Sequence, residues 1–91
     1  MYEIAIDKEA MKFLERLPRP VRERIFKKIT AAKLNPMHFF ENLEGTKERK
    51  LRIGDYRVIA NVNDATKRIE ILYIGHRKNV YKRASQLLHA S

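Results

Sequence analysis

The first twenty residues change from an alternating pattern of apolar and polar residues to a helical one. Residues 2–6 alternate as a β-strand does, and Asp7 stands where a helix N-cap is expected. Apolar residues then recur at the spacing of one helix face: Ala10, Phe13, Leu14 and Leu17. Pro18 and Pro20 end this helix because neither donates a backbone hydrogen bond, although Pro20 can begin a second helix.

The second predicted helix has one apolar face and is basic elsewhere. Its apolar face comprises Val21, Ile25, Ile29 and Ala32, and Asn35-Pro36 ends it. Its cations lie largely away from that face: Arg22, Arg24, Lys27 and Lys28. Since the turn between the two helices is short, they are expected to form an antiparallel hairpin with one shared apolar side. Residues 37–44 are expected to form a loop that packs down through its apolar side chains.

The rest of the chain has the alternation and turn signals of an antiparallel meander. Three strands are predicted, at Arg49–Ile53, Tyr56–Val62 and Lys67–Ile74. In the third, Ile69, Ile71 and Tyr73 alternate and are expected to share a face. Gly75 is expected to interrupt this strand as a bulge or an exit point. Residues after Arg83, including Leu87 and Leu88, are expected to form a short final helix or a frayed tail.

These elements predict a single α+β domain over residues 1–91. An N-terminal strand precedes an antiparallel helical hairpin, and the three-stranded antiparallel meander completes one twisted sheet. A short C-terminal helix is an optional last element. Because the hairpin covers one face of the sheet, the opposite face is left to meet a ligand.

The composition is strongly basic and contains no cysteine. Twenty Lys and Arg against eleven Asp and Glu give a net charge of +9, which favours nucleic acid, acidic protein or an anionic membrane as partner. The absence of cysteine excludes disulfides and fits a reducing compartment. No signal peptide and no apolar run of bilayer length are visible, so a cytoplasmic location without membrane contact is expected. No metal-binding or phosphate-loop motif is present, so neither a metal nor a cofactor is expected.

Several cations are predicted to meet at one region of the sheet. Lys50 and Arg52 lie two residues apart in a strand and therefore share a face, and Arg57 starts the next strand within reach of Arg52. Arg77 and Tyr81 follow the last strand near the same region. Cations hold phosphates, and an aromatic ring accepts an unstacked base. The alternative is that these cations form only the solvated side of an antiparallel sheet, and that Tyr81 belongs to the core or a lid.

Two further residues are candidates for phosphate binding, Arg49 and His76. Arg49 begins the strand that carries Lys50, and His76 directly precedes Arg77. A lone histidine at the end of a strand is also frequently structural, so both interpretations of His76 stay open.

In their order and spacing, these segments resemble the RelE family of toxin–antitoxin ribonucleases over about residues 1–83. The segments are Leu43-Glu44-Gly45, the run from Arg49 to Ile59, Ile74-Gly75-His76-Arg77 and Val80-Tyr81. The resemblance implies a toxin that cleaves mRNA in the ribosomal A site without a metal and thereby inhibits translation. It also implies an acidic RelB-like antitoxin that wraps the toxin in a hetero-oligomer, and contacts with the ribosome, including 16S rRNA.

The resemblance also implies a role for each matching residue. Lys50 would assist attack by the ribose 2′-OH, Arg57 and Arg77 would hold the scissile phosphate, and Arg52 would support them. Tyr81 would stack on a base. The chain departs from the family pattern at Glu48, where some members have a second catalytic lysine. The interval from Arg77 to Tyr81 is also shorter than in some members.

Two other functions remain possible from the sequence. A ParE-like toxin shares the fold but acts on DNA gyrase, and such relatives lack the full cationic cluster. A non-catalytic RNA-binding module would use the same basic face for affinity alone. The joint presence of Lys50, Arg57, Arg77 and Tyr81 favours the nuclease.

Overall fold

A five-stranded sheet with helices on one face organises residues 1–79, the part of the chain that the computed structural model describes. In chain order the elements are β1 (Glu3–Ile6), α1 (Lys8–Arg16), α2 (Arg19–Ala32), α3 (Pro36–Phe39), β2 (Glu41–Asn42), β3 (Arg49–Ile53), β4 (Tyr56–Asn63) and β5 (Arg68–His76). The strand order in the sheet is β1-β5-β4-β3-β2. The predicted α+β class, with a strand, helices and an antiparallel meander in one sheet, is confirmed.

Among residues 1–79, the N-terminal strand makes the one parallel pairing of the sheet. β1 runs alongside β5, from Glu3 opposite Arg68 to Ile6 opposite Ile71, whereas the other neighbours are antiparallel. This edge is also fastened by Tyr2, whose hydroxyl donates a hydrogen bond of 2.5 Å to Asp64. That hydrogen bond raises the pKa of Tyr2 above its ordinary value. The first and last strands are therefore joined along the edge farthest from β2.

The helices begin and end at the residues that the sequence indicates. Asp7 is the N-cap of α1 and its side chain accepts a hydrogen bond from the backbone N–H of Glu9, while Pro20 lies in the first turn of α2. Both helices pack against the sheet. The shared core comprises Ala10, Leu14, Ile25, Ile29, Ala32, Phe40, Leu51, Ile53, Val58, Ala60, Ile69, Ile71 and Ile74.

The loop expected at residues 37–44 is more ordered than the sequence indicated. Buried Pro36 begins α3, and Phe40, only 3% exposed, ends it. Glu41 and Asn42 then pair with β3 as a two-residue edge strand. The expectation of a loop was wrong here because a strand this short carries almost no alternation to detect.

The predicted interruption of the last strand at Gly75 was also wrong. β5 continues through Gly75 to His76, and its irregularity lies earlier. Ile59 pairs with Tyr73 but the next residue, Ala60, pairs with Ile71, so Leu72 is an extra residue on β5. A bulge of one residue reverses which face the following side chains occupy.

The last predicted elements fall beyond residue 79. The C-terminal helix or tail that was expected to include Leu87 and Leu88 lies outside the described residues, as does Tyr81. Among residues 1–79, none of the helices has the length and apolar character needed to cross a membrane.

The packing of α2 predicts opposite outcomes at two adjacent residues. Ile25 is fully buried and Phe26 is 47% exposed. Ile25→Ala should lower the free energy of unfolding by about 2–5 kcal/mol, because it leaves a cavity in the core. Phe26→Ala should cost about 1 kcal/mol or less. Urea denaturation measures both, and equal losses would contradict this orientation of α2.

Candidate functional site

Two strands, β3 and β4, present the predicted cations on the face of the sheet that the helices do not cover. Arg52 pairs directly with Arg57 across β3 and β4, and Lys50 pairs with Ile59. Residues directly opposite one another in an antiparallel pair share a face. We call this surface the open face; it carries Lys50, Arg52, Arg57 and Tyr73. The predicted grouping of Lys50, Arg52 and Arg57 is therefore what the structure shows.

Arg57 is held rigidly in spite of its charge. It is only 8% exposed, and its Nη1 donates hydrogen bonds to the carbonyl oxygens of Gly54 (2.7 Å) and Tyr56 (2.8 Å). No carboxylate of residues 1–79 forms an ion pair with it. A largely buried cation without a counterion in the described chain favours the binding of an anion.

Arg77 lies beside the same turn through its backbone. Its N–H donates to the carbonyl oxygen of Asp55 at 2.7 Å, and its Nε lies 3.6 Å from Asp55 Oδ1. The two side chains are 57% and 66% exposed. An exposed ion pair of this kind contributes about 0–1 kcal/mol, so Arg77 can exchange the carboxylate for a phosphate at little cost.

A third arginine, Arg24 of α2, touches this turn. Gly54 has a φ of +57°, and a Cβ added there would lie 2.9 Å from Arg24 Nη2. Both the backbone conformation and the close approach therefore favour glycine at this position. By its position in the sequence Arg24 belongs with the cations away from the apolar face of its helix, and only the packing of α2 on the sheet brings it here.

Lys50 lies beside an acidic residue of the neighbouring strand. Lys50 Nζ lies 3.9 Å from Glu41 Oε2, and its side chain is 25% exposed. Glu48, which stands where some RelE relatives are expected to have a second lysine, is 8% exposed and accepts a hydrogen bond from the hydroxyl of Thr46. Lys50 thus forms an ion pair with a carboxylate of the edge strand β2.

Arg49 and His76 are not brought to the open face. Arg49 pairs with Ala60, a residue of the helix-covered core, and donates a hydrogen bond of 2.9 Å to Asn42 Oδ1. The ring of His76 lies 5.7 Å from that of Tyr56, which also packs against the core. Its Nδ1 accepts from the backbone N–H of Lys78. Alternation along the strands therefore separates these two residues from Lys50, Arg52 and Arg57.

Tyr73 is a residue of this surface, although it was expected to share a face with Ile69 and Ile71, which lie in the main core. It packs with Ile59 and Leu43 in a small cluster separate from the main core. The bulge at Leu72 is what turns it to the open face. One signal was present in the sequence: the apolar run from Ile71 to Ile74 breaks the period of two expected of a half-buried strand.

The chain thus combines a basic sheet face with helices on the opposite face, in the order strand, helices, strands. The family model described as "ParE toxin of type II toxin-antitoxin system, parDE" matches residues 4–81. The chain belongs to this family, and the resemblance inferred from its motifs is confirmed.

The relatives are RelE toxins. The chain is 31% identical over 86 residues to "Toxin RelE" of Mycobacterium tuberculosis, covering 89% of this chain and 87% of that protein. It is 34% identical to RelE in the archaeal RelE–RelB complex of Pyrococcus horikoshii OT3, covering 84% and 94% with a TM-score of 0.73. The isolated Escherichia coli RelE toxin, at 24% identity and a TM-score of 0.73, shares the fold over 97% of this chain and 99% of its own. The protein is a toxin of the RelBE type.

The contacts of Arg57 predict an effect on stability. Arg57→Ala should lower the free energy of unfolding by about 1–3 kcal/mol, because the carbonyl oxygens of Gly54 and Tyr56 lose their donor. Arg52→Ala removes an exposed cation from the position directly opposite Arg57. It should change the free energy of unfolding by about 0.5 kcal/mol or less. Denaturant unfolding of the two variants provides the comparison. Equal stabilities would show that these hydrogen bonds do not hold the turn.

Proposed function

We propose that this toxin is a metal-independent endoribonuclease that cleaves mRNA in the ribosomal A site through attack by the ribose 2′-OH, and so inhibits translation. The observation that carries the proposal is the rigid placement of Arg57 beside Arg52 on the open face. Its guanidinium is bound by two carbonyl oxygens and has no carboxylate partner among residues 1–79. A pre-positioned cation of this kind fits a phosphate that gains charge during cleavage.

Each arginine contributes to the reaction in a different way. Attack by the 2′-OH builds negative charge on the phosphate, which Arg57 stabilises without having to reorganise. Arg77 exchanges its exposed pairing with Asp55 for the same phosphate, on the side of the leaving group. Arg52 adds positive charge from the neighbouring strand. Arginine does not lose its proton in proteins, so these residues act by charge and position.

Lys50 is the residue of this group that can transfer a proton. In this proposal it takes the proton from the 2′-OH as that oxygen bonds to phosphorus, while the bond from phosphorus to the 5′-oxygen breaks and the departing 5′-oxygen takes a proton from solvent. Tyr81, which lies outside the described residues, stacks on a base. Proton-transfer groups are scarce on the open face, so most of the rate enhancement comes from positioning. The ribosome supplies much of that positioning by holding the mRNA.

An acidic RelB-like antitoxin is the proposed partner in a toxin–antitoxin hetero-oligomer. The similar RelE of Pyrococcus horikoshii OT3 is described in a complex with RelB, and so is that of Escherichia coli. The net charge of +9 favours an acidic partner that covers the arginines and folds on binding. The proposed location is cytoplasmic, with contacts to mRNA and to 16S rRNA of the ribosome and no membrane contact.

The second candidate function is that of a gyrase-directed toxin, which the ParE description of the matching family model favours. Cleavage distinguishes the two. A nuclease cuts ribosome-bound mRNA at positions that primer extension maps, whereas a gyrase-directed toxin or a non-catalytic RNA-binding module leaves the mRNA intact.

Arg77 should contribute more to mRNA cleavage than other exposed cations do. Arg77→Ala should reduce mRNA cleavage by at least about 100-fold, as loss of a transition-state donor does elsewhere. Its melting temperature should hardly change, because the side chain is 57% exposed. Lys27→Ala, on the exposed side of α2, should leave cleavage intact. Similar losses in both variants would instead indicate diffuse electrostatic binding.

The role of Lys50 is tested by replacing it with a cation that cannot lose its proton. Lys50→Arg retains the charge but removes the base, so single-turnover cleavage on ribosomes should fall by about 100-fold or more. Binding to ribosomes should persist. A Lys50→Arg protein with most of its activity would show that Lys50 only holds phosphate.

A further inference from the structure

We propose that Tyr73 is an additional RNA-contacting residue, whose ring forms a platform on the open face for one unstacked base of single-stranded RNA. The inference rests on the proposed function in that it names a new contact for the same substrate. It assigns to β5 a part in recognition that neither the motifs nor the strand alternation indicated.

The bulge at Leu72 brings Tyr73 to this face. Ile69, Ile71 and Ile74 all point into the helix-covered core, so a regular strand through Ile71 would turn Tyr73 in the same direction. The extra residue reverses the alternation, and Tyr73 pairs with Ile59 on the side that bears the cations. A half-buried aromatic ring is thus displayed beside charged residues, where an ordinary antiparallel sheet would present short polar side chains.

Gly75 gives this ring its position. A Cβ added at Gly75 would lie 2.7 Å from both Cζ and Cε2 of Tyr73, so the ring extends along β5 and lies over the Gly75 backbone. Gly75 pairs directly with Arg57. The end of the Tyr73 ring therefore lies one strand away from the guanidinium that the proposed mechanism assigns to the phosphate.

The spacing of the strands suits a nucleotide. Adjacent strands lie about 4.8 Å apart. Arg57 is therefore one strand away from β5, and Arg52 is two strands, or about 10 Å, away from it. A phosphate held over β3 and β4 would therefore leave its attached base over β5, where Tyr73 lies. Bases of every kind stack on aromatic rings, whereas cations bind the backbone, so the combination favours single-stranded nucleic acid.

The packing of Tyr73 indicates that the ring, more than the hydroxyl, makes this contact. Ile59, the residue paired with Tyr73 on the neighbouring strand, supports the ring from below, as a stacking platform requires. Tyr73→Phe should therefore retain RNA binding within about twofold. Tyr73→Leu should weaken it by about 5- to 150-fold, the range found when stacking aromatics are removed. Gly75→Ala should have a similar effect because the new methyl group displaces the ring.

The probe is a short RNA oligonucleotide that contains 2-aminopurine. Its 2′-hydroxyl groups are methylated, so the RNA cannot be cut because the nucleophile is blocked. Stacking on the ring should quench the 2-aminopurine fluorescence, and titration gives the affinity. Tyr2→Leu is the matched control, since Tyr2 is also half-buried but lies at the β1 edge with its hydroxyl on Asp64. Melting temperatures of all variants are measured in parallel.

We expect the quenching to be lost in folded Tyr73→Leu and Gly75→Ala proteins. It should be kept in Tyr73→Phe and Tyr2→Leu. Equal binding by Tyr73→Leu and the unsubstituted chain would overturn the inference, as would an equal loss in Tyr73→Phe. Absence of any binding by the unsubstituted chain would overturn it as well. Cleavage of mRNA on ribosomes is scored separately, so a chain that binds through Tyr73 without cutting would refute the nuclease function alone.

Discussion

The two hydrogen bonds from Arg57 to the carbonyl oxygens of Gly54 and Tyr56 fix the turn on which the candidate site depends. The carbonyl oxygen of Asp55, in the same turn, accepts a hydrogen bond from the backbone N–H of Arg77. The side chain of Arg24 lies close to Gly54. Three arginines from separate parts of the chain are thereby gathered within a few ångströms of a two-residue turn. Because backbone carbonyl oxygens accept its hydrogen bonds, the guanidinium of Arg57 is positioned before any ligand arrives, which is what electrostatic stabilisation of a transition state requires.

This arrangement is unfavourable for the isolated domain. Arg52 and Arg57 are like charges directly opposite one another on adjacent strands, a pairing that destabilises a sheet. The core formed by α1, α2 and the other face of the sheet offsets that repulsion. An anion on the open face relieves it, and RNA phosphate and an acidic antitoxin are both suitable. In the proposed function the same surface would serve both RNA cleavage and inhibition, since whichever polyanion is bound excludes the other.

The motifs located Lys50 and Arg52 correctly on one face because the period of two within a strand is a local property. Arg57 was expected near Arg52 because only a short turn separates their strands, and the two residues pair directly. The same rule misplaced Tyr73, since one extra residue at Leu72 reverses the alternation. The period of two also gives no information on how deeply each side chain is buried. That Arg57 is almost fully enclosed while its partner Arg52 is exposed depends on the neighbouring turn and strands, which no local pattern describes.

By itself, the sequence determined the two main helices with their caps and prolines, the three long strands and the family. Each of these depends on residues that are close together along the chain. Only the tertiary structure decided the parallel pairing of β1 with β5, the short strand β2 and the register that displays Tyr73. It also decided that Arg24 approaches Gly54. These features join segments far apart in the chain, and their geometry follows from how helices and strands pack together to bury one common core.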